Sequence, residues 1–344
     1  MSSIEIKQLE PDFANQWDEY VLAHSHYNNA FLSHWKGIIE KTFGHKGYYL
    51  YAWRNGKITG ILPLIHLKSR LFGNFLISMP FLNYGGILAD TEQDETLLLA
   101  EATKIAQQLK TEFIELRHVA RHELDLPNKQ HKISMLLSLP SESETLWANL
   151  KAKVRNQVRK AEKSNLRIAA GQLEKLPDFY EVFARNMRDL GTPVYPQKFF
   201  ANILRAFEAA KVFVAYLGQT PVAAGFVIGI NQRLEIPWAS SVREFNSLNG
   251  NMFLYWQILK YACESGYAVF DFGRCTPDEN TYRFKKQWGA EPVELNWQYW
   301  LRNGNTLPDL SPRNKKYELM IQTWQKLPVG LTKIIGPWII RNIP

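Results

Sequence analysis

Apolar and polar positions along the chain predict the same β-hairpin twice, once in each half. In the first half, residues 48–53 and 58–65 are rich in aromatic and β-branched side chains and flank an Asn-Gly pair. This pattern predicts two strands joined by a tight turn. In the second half, residues 212–216 and 221–228 repeat it around the turn-like segment 217–220.

The elements around each predicted hairpin also repeat. A third strand-like segment follows each hairpin, then a long helix, then a short strand. The predicted helices and strands that follow the hairpins are 92–110 with 113–117, and 251–265 with 268–272. Two shorter predicted helices precede each hairpin: 13–23 and 33–42, and 178–190 and 197–210. A repeated order over this length predicts duplication of a whole domain, and each copy is expected to be an α+β unit with a mixed central sheet.

We therefore expect two similar domains, residues 1–140 and 141–305, and a C-terminal appendage, residues 306–344. Residues 141–163 are predicted to form one helix, with Ser141 as N-cap and Glu144 completing a capping box. The appendage is marked by a change of pattern and by prolines at positions 312, 328, 337 and 344.

Composition is that of a globular protein, and the charge bears on its partners. Of the 344 residues, 46% are hydrophobic and 22% charged, and the net charge is +8. An excess of cations favours an anionic partner, such as a phosphate-bearing substrate, tRNA or a membrane surface, although a plain basic protein also fits. Two cysteines, no signal-peptide pattern and no apolar run near 20 residues predict a cytoplasmic protein.

A cationic ridge on the predicted basic helix is the first candidate site. Lys151, Arg155 and Arg159 recur every four residues beside an apolar stripe, and neither arginine has an acidic residue four positions away. Such a ridge can hold phosphate through arginine. A solvated helix face is the alternative.

Two further candidates lie late in the second half. Asp271, Phe272, Gly273 and Arg274 follow a predicted strand, but the kinase motifs that would accompany Asp-Phe-Gly are missing. The alternative is an aspartate that caps the next loop, with Gly273 at an unusual φ angle.

The next candidate is the segment 280–289, which places Tyr282 and Lys285 on one helix face and ends at Trp288. A lysine held in a cleft can stabilise a developing oxyanion, and a surface helix is the alternative.

Two glycine-associated positions complete the candidates. Tyr84 precedes Gly85 and Gly86, which would let the backbone approach a ligand, or would simply form a tight turn. Asn251 opens the second long helix, where backbone N–H groups can bind an anion, or where the sequence merely caps the helix. The eight histidines are scattered without a carboxylate-rich motif, so no metal site is predicted.

Several of these segments together resemble the FemAB/FemX family of tandem Gcn5-type N-acyltransferase (GNAT-like) proteins, including relatives found with exosortase and exopolysaccharide loci. The resembling segments are 80–86, 153–163, 212–216, 221–225, 254–258, 266–267, 271–274 and 284–290. The resemblance runs over most of the chain, and it implies tandem GNAT-like domains. It also implies transfer of an acyl or aminoacyl group from acyl-CoA or aminoacyl-tRNA to an amine of a cell-envelope precursor or polysaccharide, without a permanently bound cofactor.

The resemblance also implies roles for the candidates. Lys285 would stabilise the oxyanion, and Arg155 with Arg159 would contact phosphate or substrate. We group Asp271 and Tyr282 with Lys285 as catalytic candidates. The substrate-binding candidates are Lys151, Arg155, Arg159, Tyr84, Arg274, Trp288 and Asn251.

The chain departs from the family in two places. The pyrophosphate loop of coenzyme A-using GNAT proteins, Arg/Gln-x-x-Gly-x-Gly/Ala, is replaced by residues 243–250, and the segment between residues 161 and 212 is too short for the coiled-coil arm of some Fem proteins.

Two other interpretations stay open at this point. A non-catalytic binder of anionic glycans or lipid carriers could keep the same fold. Residues 327–341 combine tryptophan, isoleucine and basic residues, as segments at a membrane surface do. This would place the protein at the inner face of the membrane, whereas a packed terminal helix is the alternative. The oligomeric state is left open by the sequence.

Overall fold

The computed structural model describes residues 3–304, 307 and 318–343. Its described residues fall into two compact units. Unit 1 comprises Met1–Ile133, Glu294–Pro308 and Asn342–Pro344, and unit 2 comprises Ser134–Val293 and Asp309–Arg341.

Unit 1 contains a mixed sheet and three α-helices among the described residues. Its helices are α1 (Ala14–Ala23), α2 (His34–Phe43) and α3 (Glu92–Leu109). Its strands are β1 (Glu5–Gln8), β2 (Lys46–Arg54), β3 (Lys57–Ser69), β4 (Gly73–Ile77), β5 (Leu88–Ala89), β6 (Phe113–His118), β7 (Asn128–Lys129) and β15 (Asn296–Leu301).

Unit 2 repeats this plan with more helices. Its strands are β8 (Ile133–Ser138), β9 (Leu166–Gly171), β10 (Ala210–Leu217), β11 (Thr220–Ile230), β12 (Arg233–Ser241), β13 (Val269–Cys275) and β14 (Glu291–Glu294). Its helices are α4 (Ser143–Asn149), α5 (Ala152–Lys163), α6 (Leu176–Asp189), α7 (Gln197–Ala206), α8 (Gly250–Glu264), α9 (Asn280–Lys286), α10 (Glu318–Gln325) and α11 (Val329–Ile340).

The two sheets have the same strand order. Unit 1 runs β1-β2-β3-β4-β6-β15-β7, with β5 also on β3, and unit 2 runs β9-β10-β11-β12-β13-β8-β14. Each contains an antiparallel hairpin, β2–β3 or β10–β11, and one parallel pair, β4–β6 or β12–β13. Two helices precede each hairpin and one long helix precedes the second strand of each parallel pair. The predicted duplication is therefore present in the order of seven strands, and β5 has no counterpart in unit 2.

One strand of each sheet comes from the other half of the sequence. β15 lies late in the chain yet pairs antiparallel with β6, whereas β8 lies early and belongs to the sheet of unit 2. The predicted division at 140/141 and 305/306 runs along the chain, and the compact units instead interleave. The interleaving has a simple cause: each sheet takes the strand next to β6 or β13 from a distant segment.

The local turn chemistry explains why both hairpins form. Asn55 and Gly56 have φ angles of 51° and 79°, the left-handed conformation that a two-residue turn needs between twisted strands. Gly218, at 60°, provides the same conformation between β10 and β11. Both predicted hairpins are present in the structure.

The helix predicted over residues 141–163 is wrong, because the structure has two helices there. α4 ends before Leu150, and Leu150 and Lys151 are extended, with ψ angles of 144° and 143°. The break buries Leu150, and the Arg155 guanidinium donates to the carbonyl oxygens of Trp147 and Ala148 in the last turn of α4. The residue before α4 makes no side-chain cap, so the predicted capping box is not formed.

Helix α8 anchors the core of unit 2 and fixes the position of its own first turn. Leu254, Ile258 and Leu259 are fully buried, and α8 packs against α5 and β11. Gly225 of β11 allows this approach, because a Cβ atom there would lie 2.9 Å from the Ile258 side chain. The amino end of α8 is thereby held beside the ends of β11 and β12.

The described part of the C-terminal appendage packs on unit 2. α10 and α11 both contact α6. Gly336 is buried at the contact, where a Cβ atom would lie 2.9 Å from the backbone nitrogen of Val194. This is the packed terminal helix of the alternative prediction. Residues 306, 308–317 and 344 of the predicted appendage lie outside the described residues. Among the helices that the structure describes, none has both the length and the apolarity to cross a bilayer.

Candidate active site

In the middle of the unit 2 sheet, the parallel pairing of β12 with β13 ends before either strand does. Their pairing joins residues 233–235 to residues 269–271 and ends at the pair Glu235 and Asp271. Both strands continue, to Ser241 and to Cys275. Backbone groups beyond the last pair have lost their ladder partners, so they must bond to side chains, water or a ligand.

Lys285 of α9 forms hydrogen bonds with two of these backbone groups. Its Nζ atom donates to the carbonyl oxygens of Gly273, at 2.9 Å, and Arg274, at 2.8 Å. The side chain is buried, and this burial lowers the pKa of the Lys285 ammonium to about 8. An ammonium has three N–H donors, so one donor remains beyond the two carbonyls. Lys285 thus holds α9 on β13 and is equipped to give one more hydrogen bond.

A cavity of about 210 Å³ lies at the amino end of α8. That volume equals roughly seven waters of the bulk liquid, enough for a phosphate-sized group. Its walls come from α5, the ends of β11 and β12, the turn before α8, the first turn of α8, and α9. The lining residues are Gln157, Val222, Ser241, Val242, Phe245, Asn246, Asn249, Gly250, Asn251, Met252, Phe284 and Gln287.

The polar part of this lining is neutral. It consists of Ser241, the glutamines at 157 and 287, and the asparagines at 246, 249 and 251. Met252 and Phe253 donate their backbone N–H groups to the Asn249 carbonyl, so the amides of Gly250 and Asn251 are the first two of the helix. A helix amino terminus carries partial positive charge and donates to anions. The cavity can therefore attract a negative group through amides, without a charged side chain in its wall.

Two faces of helix α5 make different contacts. Gln157 lines the cavity, and Lys153 and Lys160, four residues before and three after it, lie on the same side and are exposed. The predicted ridge lies elsewhere on the helix. Arg155 caps α4, at 2.8 Å from the Ala148 carbonyl, and the Arg159 guanidinium stands over the Trp147 ring at 5.6 Å. Lys151 is the exposed residue preceding α5.

The remaining candidates of the second half lie around Lys285, with structural contacts of their own. Asp271 is fully buried, and its Oδ1 atom accepts from the backbone N–H of Gly273 at 2.7 Å and from the Ser134 hydroxyl at 3.3 Å. Gly273 has a φ angle of 70°. These are the contacts of the capping alternative.

Tyr282 lies in α9, and Trp288 lies just after it. The Tyr282 hydroxyl accepts from Nζ of Lys286 at 2.9 Å, whereas Trp288 is buried against Tyr255 and Phe284. Arg274 is half-buried, and its carbonyl oxygen accepts from Lys285. Of the predicted residues, the structure thus brings Asp271, Arg274, Tyr282, Lys285 and Trp288 together around α9, with Asn251 in the cavity beside them.

Tyr84 belongs to unit 1 and is buried. The two glycines after it are required by packing within that unit. A Cβ atom on Gly85 would lie 2.4 Å from the Ser78 carbonyl oxygen, and one on Gly86 would lie 2.1 Å from the His118 ring. The tight-turn alternative accounts for this segment.

Several cavity residues were not predicted from the sequence. Gln157 stands among cations and has no motif of its own, so only its place on the inner side of α5 reveals it. Its Oε1 atom is buried and has no hydrogen-bond partner among the described residues. Gln287 and Phe284 lie within the segment 280–289, and helical spacing from Lys285 could have separated the two faces of α9. Among the described residues, no group of histidine, cysteine, aspartate and glutamate could hold a metal ion.

Comparison with known proteins relates this site to a known domain family. Residues 148–286, which include α5, the cavity and Lys285, match the family model described as Acetyltransferase (GNAT) domain. This part of the chain is therefore similar to a GNAT domain. No match to the chain is found among curated proteins.

Solved structures extend the similarity over both units. FemX is similar with a TM-score of 0.68 at 16% identity, covering 92% of this chain and all of that one. L-PGS from Bacillus licheniformis has a TM-score of 0.57 at 10% identity, covering 94% and 99% of the two chains. A tandem GNAT protein from the clavulanic acid biosynthesis pathway has a TM-score of 0.53 at 12% identity, covering 89% and 100%.

These findings confirm the predicted fold class and the predicted resemblance to the FemAB/FemX-like tandem GNAT family. The protein has a duplicated GNAT-like fold, with two mixed sheets flanked by helices. The match of residues 148–286 to an acetyltransferase domain model also supports the predicted GNAT-superfamily acyltransferase.

Proposed function

We propose that the GNAT domain transfers an acyl or aminoacyl group from a phosphate-bearing donor to the amine of a cell-envelope precursor. The observation that carries this proposal is the cavity at the amino end of α8, which is lined by Phe284 of α9 and by Ser241 at the end of β12. The similarity to FemX and to L-PGS makes envelope precursors and lipids the acceptors to test first.

The donor's anionic part would enter this cavity. The first amides of α8 can donate to phosphate oxygens, and Lys153 and Lys160 stand on the side of α5 that carries Gln157. The pyrophosphate loop of coenzyme A-using GNAT proteins is replaced by a 3-10 helix, Arg243–Leu248, followed by Asn249 in the left-handed conformation. This replacement favours an aminoacyl-tRNA over an acyl-CoA as donor.

The acceptor amine would attack the donor carbonyl directly. A bond forms between its nitrogen and the carbonyl carbon, the carbonyl oxygen becomes an oxyanion, and the bond to the donor oxygen or sulfur then breaks. The proton lost by the amine leaves with the donor's hydroxyl or thiol. The third N–H of Lys285 is the group we assign to the oxyanion, and one such donor contributes about 3 kcal/mol to lowering the barrier.

A transfer assay with the full-length protein tests this proposal. Purified protein is given radiolabelled aminoacyl-tRNA or acyl-CoA, together with an amine-bearing nucleotide-linked or lipid-linked envelope precursor. We expect label to appear in an amide of the acceptor with the tRNA donor. Transfer from acyl-CoA alone would reverse the choice of donor, and transfer from neither donor would contradict the proposal.

A non-catalytic binder is the second candidate, and one observation favours it. Asp271 and Lys285 are both buried and already hydrogen-bonded within unit 2. A binder of anionic glycans or lipid carriers would need only the cavity and its lysines. Such a protein would retain a labelled precursor in equilibrium dialysis but would transfer no label in the assay above.

A further inference from the structure

The outer face of α11 exposes a stripe of large apolar side chains. Leu331, Ile334 and Trp338 are 42%, 68% and 69% exposed, and their spacing of three and four residues places them on one side of the helix. The opposite side, which includes Gly336 and Ile340, is buried. We call Leu331, Ile334 and Trp338 the α11 stripe.

This stripe is unusual for a helix that faces water. Lys333 is the single charged residue in α11, so the helix is apolar on nearly every side, a composition found in fully buried or membrane-contacting helices. The neighbouring α10 adds exposed Leu319 and Met320. Five of the ten large apolar side chains exposed in the described residues therefore lie between residues 318 and 343. Such a concentration marks a contact surface rather than scattered apolar residues.

The charges of this segment identify the partner. Residues 319–344 contain three cations and no aspartate or glutamate. Lys333 is paired with Glu181 of α6 and Glu318 opens α10, so Lys326 and Arg341 are the two cations that matter here. Lys326 is exposed just before α11, and Arg341 follows its last turn, with the guanidinium 5.9 Å from the Trp338 ring. Cations at both ends of an apolar stripe match the phosphates of anionic lipids, and tryptophan favours the level of the lipid headgroups.

We propose that the α11 stripe docks the protein on the surface of an anionic lipid bilayer. α11 lies in the plane of the membrane, the stripe enters the boundary between headgroups and acyl chains, and Lys326 and Arg341 contact lipid phosphates. The twelve residues of α11 span about 18 Å, too short to cross a hydrocarbon core of about 30 Å. The inference stands independently of the transfer reaction.

A second copy of the chain fits this face less well. A stable interface needs about 800 Å² from each partner, and a stripe of three side chains is much narrower. A symmetric contact would also bring Lys326 and Arg341 of each copy towards those of the other. A lipid surface meets neither difficulty.

Vesicle co-sedimentation of the full-length protein tests the docking. Wild-type protein should bind vesicles of equal parts phosphatidylcholine and phosphatidylglycerol, and should bind pure phosphatidylcholine weakly. The double variant I334E/W338E should lose at least about ten-fold in partitioning. The variant K326Q/R341Q should lose binding to anionic vesicles while its weak binding to phosphatidylcholine is unchanged.

The matched control is Leu71→Glu. Leu71 lies in the turn between β3 and β4 and is 79% exposed, so L71E places one of the two added glutamates on a comparably accessible apolar site away from α11. We expect L71E to bind vesicles like the wild type, and all variants to keep the wild-type circular dichroism spectrum. Equal losses in L71E and I334E/W338E, or no binding of wild-type protein to anionic vesicles, would overturn the proposal. So would a wild-type dimer in solution that I334E/W338E converts to a monomer.

Discussion

The Nζ atom of Lys285 lies 2.8 Å from the carbonyl oxygen of Arg274, on the part of β13 that no longer pairs with β12. The lysine therefore fills a backbone position that the end of the parallel ladder leaves open. The same contact keeps the ammonium out of bulk water and beside the proposed reaction centre. Lys285 therefore has both a structural contact and a proposed catalytic role, and separate experiments are needed to distinguish the two.

Turnover should fall with rising pH if Lys285 stabilises an oxyanion. The ammonium form is the one with a third donor, and it is lost as the pH rises through the Lys285 pKa of about 8. We expect kcat to drop about ten-fold for each pH unit above that value. Lys285→Arg, which keeps its charge to higher pH, should move the drop upward even if its maximum rate is lower. A pH profile that is the same in K285R and wild type would leave Lys285 a purely positioning role.

Folding stability should also depend on pH through Lys285, but it should rise with pH where turnover falls. The folded-state pKa is about 8, below the ordinary lysine value of 10.5, so between these values the unfolded chain holds a proton that the folded chain has released. Stability from this group therefore rises with pH across that window, by about 3 kcal/mol at most. Denaturant unfolding of wild type and Lys285→Met should show the difference growing in favour of wild type from pH 8 to 10.5. A constant difference would contradict the lowered pKa.

The two faces of α5 should behave differently in a transfer assay. K153A/K160A removes the cations on the side of Gln157 and should raise the donor KM by roughly ten-fold or more, with a weaker dependence on salt. K151A/R159A removes two cations of the sequence-predicted ridge and serves as the matched control, with a smaller change in KM expected. If the control variant loses more donor affinity than K153A/K160A, the cationic ridge is the donor site and our assignment of the inner face is wrong.

A buried ion pair in unit 1 should dominate the response of that unit to mutation. Nε of Arg117 donates to Glu115 at 2.7 Å, the Tyr299 hydroxyl donates to the same carboxylate, and the guanidinium stacks on the Trp297 ring at 4.7 Å. Arg117→Met leaves a buried carboxylate without its cation and should cost about 3–5 kcal/mol of unfolding free energy.

The double variant E115Q/R117M removes both charges and tests the origin of that cost. We expect it to be more stable than R117M in urea unfolding, because no unpaired charge is left in the core. Equal stability of the single and double variants would show that the loss comes from packing on Trp297 instead.

Much of the fold was predictable because its signals are local. The Asn-Gly pair at 55 and 56 fixes a turn through the conformational preferences of two residues, and the repeated order of elements needs no knowledge of contacts. The break at Leu150 was not predictable in this way, since neither proline nor glycine stands there. It exists because burial of Leu150 and the cap from Arg155 outweigh the helical preference of the segment.

The site was predictable in part, for a related reason. Lys285 and Asn251 stand in segments whose spacing or position points to chemistry, and the structure brings them to α9 and to the cavity. Gln157 is neutral, and the ridge of Lys151, Arg155 and Arg159 indicates a different face of α5 as the binding site. Which face of a helix lines a cavity is decided by its packing against α8, and that information is not present in the helix alone.

The exchange of β8 and β15 has a consequence for synthesis of the protein. β7 is laid down early but pairs with β15, which the ribosome adds about 170 residues later. Until then β6 offers an unpaired edge, and a fragment ending near residue 140 would keep that edge permanently. The nascent first unit must therefore wait, incomplete and prone to association, for a strand that arrives only when nearly the whole polypeptide has been made.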